Sequence, residues 1–142
     1  MKNLILTLFL SLAVCVTANA QVPANQGYLK SSPTHATTDT VDNAETVNQV
    51  INIGGFQEVV TIQPILTKIS GTAAGVVRLW GSIDGVNFVR VNPTDSLTMT
   101  DVATKTKVFI VSPSAYTHYR ISYTGVSTMS VKLQTPAIWR KP

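Results

Sequence analysis

From Thr46 onward the chain runs in short stretches of alternating apolar and polar residues, broken by turn signals. The breaks recur at the roughly 8–12-residue spacing of an all-β sandwich or barrel. The clearest stretch is Tyr116–Thr124, with Tyr119, Ile121 and Tyr123 on one side and His118, Arg120, Ser122 and Thr124 on the other. A two-residue period belongs to extended chain with one wet face, as in antiparallel sheets. Gly75–Ser82 repeats it and sets Val77 and Leu79 inward against Val76, Arg78 and Trp80.

Further strands are expected at Thr46–Ile53, Phe56–Ser70, Phe88–Val91, Leu97–Val102, Thr106–Ser112 and Met129–Leu133, eight in all. Gly54-Gly55, Gly71–Gly75, Asp84-Gly85, Asn92-Pro93, Pro113-Ser114 and Gly125 supply the breaks. Asp84-Gly85 is a hairpin signal. Pro64 cannot donate to a ladder, so a bulge or edge is expected there, moving the apolar set to Ile65 and Ile69. A single exposed sheet would leave these apolar sides uncovered. The expected architecture is therefore a two-layer antiparallel β-sandwich, jelly-roll-like, over residues 46–142.

The N-terminus reads differently. Lys2 precedes an uncharged run from Leu4 to Val16, and Ala18-Asn19-Ala20 closes it. This is the layout of a secretory signal peptide over residues 1–20. The expected location is secreted, periplasmic or on the cell surface. A spanning helix wants about 20 apolar residues, so membrane attachment is expected only if this leader stays uncleaved. Lipidation at Cys15 is disfavoured by the bulky Val14 before it. Residues 21–45 are polar and without period, and read as a flexible arm.

Composition narrows the chemistry. The single cysteine is Cys15, so without the leader the chain offers no disulfide and no thiolate ligand. The formal net charge is +4, from dispersed basic residues, of which only Arg140-Lys141 adjoin. Nucleic-acid binding asks for a concentrated basic stripe and is not expected. The two histidines, His35 and His118, lie far apart and make no metal or triad spacing. No Gly-x-Ser-x-Gly elbow occurs. Asp84, Asp95 and Asp101 fall in or beside turns, where aspartate bonds its own backbone. Asp84 with Asn87 offers too few oxygens for calcium. No catalytic residue, metal or cofactor is expected.

The aromatic residues leave two readings open, with core packing or subunit contact favoured over a ligand surface. Trp80 shares a side of its strand with Arg78. Facing solvent, the pair would suit a sugar ring, a peptide or another subunit. Facing the core, Trp80 would be packing, which is the commoner fate of tryptophan. The candidate ligand-binding residues are Arg78, Trp80, Asp84 and Asn87. Trp139 faces the same choice, on a terminal strand expected at a sandwich edge.

The run Lys68–Phe88 contains Ser-Gly-Thr-Ala-Ala-Gly and then Gly-Ser-Ile-Asp-Gly-Val-Asn-Phe. It resembles a pattern in small β-sandwich proteins of tailed bacteriophages and their Bacteroidetes hosts. Tyr119–Gly125 and Met129–Leu133 resemble that group's closing hairpin. A Gly-Ser-x-Asp-Gly turn also occurs in discoidin-like and carbohydrate-binding sandwiches. The resemblance implies a structural role on a virion or cell surface. The first expectation is thus an exported, non-enzymatic protein that builds or decorates an assembly, as a homo-oligomer or with other structural proteins. The alternative is a secreted module that binds carbohydrate or another cell-surface ligand.

Overall fold

The structure is a computed structural model that describes residues 24–34, 36–126 and 128–142. The leader read over residues 1–20, Cys15 and His35 lie outside the described residues. Among the described residues all regular elements are strands: β1 Asn25–Tyr28, β2 Thr38–Asp42, β3 Thr46–Asn52, β4 Val59–Ile62, β5 Ile65–Gly71, β6 Gly75–Ser82 and β7 Val89–Arg90. They continue with β8 Leu97–Met99, β9 Thr104–Thr106, β10 Phe109–Val111, β11 His118–Gly125, β12 Met129–Gln134 and β13 Pro136–Arg140. Every pairing is antiparallel.

One layer is a five-stranded sheet. Its order is β3-β11-β6, with β7 and β8 sharing the far edge of β6. The other layer comprises two four-stranded sheets, β1-β13-β4-β10 and β2-β12-β5-β9. These continue one another along the chain. β12 passes into β13 through Thr135, β4 into β5 through Gln63-Pro64, and β9 into β10 through Lys107-Val108. They form one layer folded along a crease. The connections at β3, β6 and β11 cross between the layers, as in a jelly roll.

The crease has a chemical cause. Pro64 lies in the link between β4 and β5, beside the start of β13 at Pro136, and neither nitrogen can donate to the ladder. Backbone bonds resume around them: Gln63 N–H donates to Pro136 O at 3.0 Å, and Leu29 N–H to Thr135 O at 2.9 Å. Thr135 is fully buried at the break, and its hydroxyl donates to Gln49 Oε1 at 2.6 Å. Gln49 reaches inward from β3 in the facing layer, so a buried amide satisfies the crease.

The all-β sandwich expected from the sequence is what forms, but with thirteen strands and not eight. The crease divides runs that alternation alone reads as continuous. The inward set does not shift at Pro64. Val60, Ile62, Pro64 and Leu66 are all buried, whereas Ile69 is 57% exposed. The chain changes direction there without changing parity, so no residue is added as a bulge would require.

Residues 24–45, expected as part of a flexible arm, contribute β1 and β2, and Leu29 and Val41 are fully buried. Single apolar residues in a polar run suffice because backbone pairing to β13 and β12 holds them. β13, expected at an edge, lies between β1 and β4. The core between the layers takes Val77 and Leu79 from β6, Tyr119, Ile121 and Tyr123 from β11, and Val131 and Leu133 from β12.

Candidate functional site

The outward face of the five-stranded sheet is built by register. Arg120 on β11 lies opposite Val50 on β3 and Trp80 on β6, and Trp80 lies opposite Arg90 on β7. One row across the sheet therefore reads Val50, Arg120, Trp80, Arg90. The next row toward the start of β6 reads Asn48, Ser122, Arg78. These side chains point away from the core because their neighbours Gln49, Ile121, Leu79 and Val77 point into it.

The row is stacked. The Arg120 guanidinium carbon lies 5.1 Å from the centre of the Trp80 ring and 4.3 Å from that of Phe88. Arg90 lies 5.7 Å from the Trp80 ring. All three distances suit cation–π attraction. The two arginines then differ. Arg90 Nη2 donates to the carbonyls of Asn92, Pro93 and Asp95 at 3.1, 3.0 and 2.9 Å, clasping the loop after β7. Arg120 has no hydrogen-bond acceptor or acid partner among the described residues. Its partial burial pushes the guanidinium below its ordinary value, although an arginine remains charged at neutral pH.

Three N–H groups in this cluster, Trp80 Nε1, Arg90 Nε and Arg120 Nε, are buried without an acceptor among the described residues. Buried donors are ordinarily matched. The outward positions of β3, β6, β7 and β11 include no aspartate or glutamate. The acids lie elsewhere: Asp101 pairs with Lys68, Asp95 with Lys107, and Glu58 with Arg140. The face is thus rich in donors and positive, with an aromatic floor.

Asp84 and Asn87 belong to the turn after β6. Asp84 Oδ1 accepts from Ser82 Oγ at 2.7 Å and from the N–H groups of Val86 and Asn87 at 2.9 and 2.8 Å. Its Oδ2 accepts from Asn87 Nδ2 at 2.6 Å. The backbone N–H groups of Asn87 and Val86 hold this carboxyl well below the usual carboxylate range, helped by the Ser82 and Asn87 side chains. A carboxylate so engaged is occupied by its own turn. Beside it opens a cleft of about 390 Å³ lined by Ile83, Asp84, Val89 and Tyr116. Ile83, Val86 and Val89 are exposed around it.

The structure brings Arg78 and Trp80 onto one face and leaves Asp84 and Asn87 at the tip of the sandwich. Trp139 instead packs on the core, over Gly27 and Ile51. Arg120, Arg90 and Phe88 are the additions. Arg120 was legible as an outward residue of its strand, but its place beside Trp80 needs the strand register. His118, on the same side of β11, is hydrogen-bonded through Nδ1 to Thr117 Oγ1 at 2.8 Å. Among the described residues, no three His, Cys, Asp or Glu side chains gather as metal ligands would.

No family model matches the chain, and no curated protein matches it by sequence. Solved structures do resemble it. The CBM32-1 module of a family 31 glycoside hydrolase from Clostridium perfringens superposes with a TM-score of 0.52 at 10% identity. That likeness covers 87% of this chain and 98% of the module. The enzymatically active domain of tailspike protein 4 from bacteriophage CBA120 gives 0.50 at 10% identity, over 83% of this chain and 18% of that one. A family 16 carbohydrate-binding module gives 0.45 at 9% identity, over 67% and 70%. The likeness to the CBM32-1 module shows a shared β-sandwich fold and nothing beyond it.

Proposed function

We propose that this chain is a non-catalytic carbohydrate-binding module whose ligand lies on the outward face of the five-stranded sheet. The observation that supports this most is Trp80. It stands on the outer side of a central strand, beside unpaired arginine donors, and not in the core. Aromatic rings offer flat apolar area to the C–H face of a sugar, and N–H groups offer hydrogen bonds to its oxygens. Arg120 and Arg78 would supply the donors, with Phe88 and Trp80 as the platform. The leader expected over residues 1–20 agrees with a ligand met outside the cytoplasm. The building role in an assembly is the weaker reading, since it draws on strand edges that any open sandwich has.

A glycan array probed in parallel with the intact protein and its Trp80→Ala variant tests the proposal. The expected result is a limited set of bound glycans and loss of signal in the variant, with the thermal midpoint of both proteins measured as a folding control. No bound glycan, or binding indifferent to Trp80, would overturn it.

A further inference from the structure

We infer that the face selects acidic sugars, those bearing a carboxylate, over neutral ones; this rests on the glycan-binding reading. Of the four arginines, two are committed. Arg90 clasps backbone carbonyls, and Arg140 pairs with Glu58. The other two, Arg78 and Arg120, have no acceptor or acid partner among the described residues, and both stand on this face. Arg120 opposes Trp80 and Arg78 opposes Ser122, so the two are diagonal neighbours on adjacent strands. Such positions lie about 7–8 Å apart, near enough for one ligand to span.

The charge on the face is uncompensated. No acid occupies an outward position of β3, β6, β7 or β11. A neutral sugar would leave both guanidinium groups without a counter-charge. A carboxylate would meet a planar fork that fits it through two parallel N–H···O bonds. Phe88 and Trp80 both lie against the Arg120 guanidinium, their ring centres 4.3 and 5.1 Å away. The fork is therefore set before the ligand arrives, which lowers the ordering cost of binding.

The test is titration of the intact protein with oligogalacturonate, with the same oligomer as its neutral methyl ester, and with sulfated dextran. Wild type, Arg120→Gln, Arg120→Lys and Arg78→Gln are compared at low and high salt. The expected result is binding of the free acid, loss of about tenfold or more on esterification, and a similar loss in Arg120→Gln. Arg120→Lys keeps the charge but loses the fork, and is expected to weaken binding as well. Equal binding of acid and ester would overturn the inference while leaving the glycan reading intact. Equal binding of acid and sulfated dextran, with Arg120→Lys unchanged, would also overturn it, in favour of simple charge attraction. Absence of binding to any of these, together with an empty glycan array, would remove the glycan reading itself.

Discussion

The Arg120 guanidinium stands 5.1 Å from the ring of Trp80, on neighbouring strands and on the side of the sheet that faces away from the core. The contact joins the only outward tryptophan among the described residues to a cation with no acid partner there. It is expected to contribute little to folding, because no ion pair or matched hydrogen bond depends on it.

A double-mutant cycle on Arg120→Ala and Trp80→Ala, followed by urea denaturation, measures that contact. The expected coupling is about 0.5–2 kcal/mol, the range of a half-buried cation–π pair. A coupling several times larger would mean that the cluster is structural and not held ready for a ligand.

Asp84 is the opposite case. Its hydrogen bonds all close its own turn, so Asp84→Ala should lower the thermal midpoint while leaving glycan affinity unchanged. The pH dependence follows from the sign of its shift. The folded carboxyl titrates below the ordinary value of 3.8, so its stabilisation is full above that value and fades as pH falls. The gap in midpoint between wild type and variant should narrow in acid. A gap that widens in acid would contradict the assignment.

Gly75 is required by geometry. Its φ is +138°, and an added Cβ would lie 2.3 Å from the Thr124 carbonyl oxygen and 2.8 Å from the Tyr123 ring. Gly75→Ala should destabilise the fold by about 2–4 kcal/mol, combining backbone strain and overpacking. Chemical denaturation reads this directly.

Burial pushes the Tyr123 hydroxyl up to about 12. In the unfolded chain the phenol ionises near its ordinary value of 10.0, so the unfolded state loses its proton first. Stability should therefore fall as pH rises from about 10 through about 12. Tyr123→Phe should flatten part of that fall, leaving what Tyr119 contributes, which burial also raises. A stability profile that is level across this window would refute the burial account.

The sequence made the sandwich legible because inward and outward residues alternate wherever a strand has one wet face. Tyr119, Ile121 and Tyr123, with Val77 and Leu79, are inward as the pattern requires. The pattern fails where burial is supplied by something other than periodicity. Leu29 is held by its N–H bond to Thr135 O and Val41 by backbone pairing to β12, which a polar run does not announce. The crease at Pro64 and Pro136 divides strands without altering parity, so its signal is two prolines whose adjacency is spatial.

The candidate site was half legible. Arg78 and Trp80 share an outward side by strand parity, and the structure places them so. Arg120 and Phe88 enter through cross-strand register, which one chain's local pattern does not specify. Asp84 and Asn87 lie close to Trp80 in sequence but outside the row it stands in. The strand carries Trp80 outward on the sheet face and delivers the turn beyond its end.

The most direct test of the proposed binding face is amide chemical-shift mapping by NMR, titrating the protein with a glycan drawn from the array. The account predicts shifts concentrated on Arg78 and Trp80 of β6, Arg120 and Ser122 of β11, and Asn48 of β3, and their loss in Trp80→Ala. Shifts confined to the tip cleft around Ile83 and Val89, or no shift with any glycan, would contradict it.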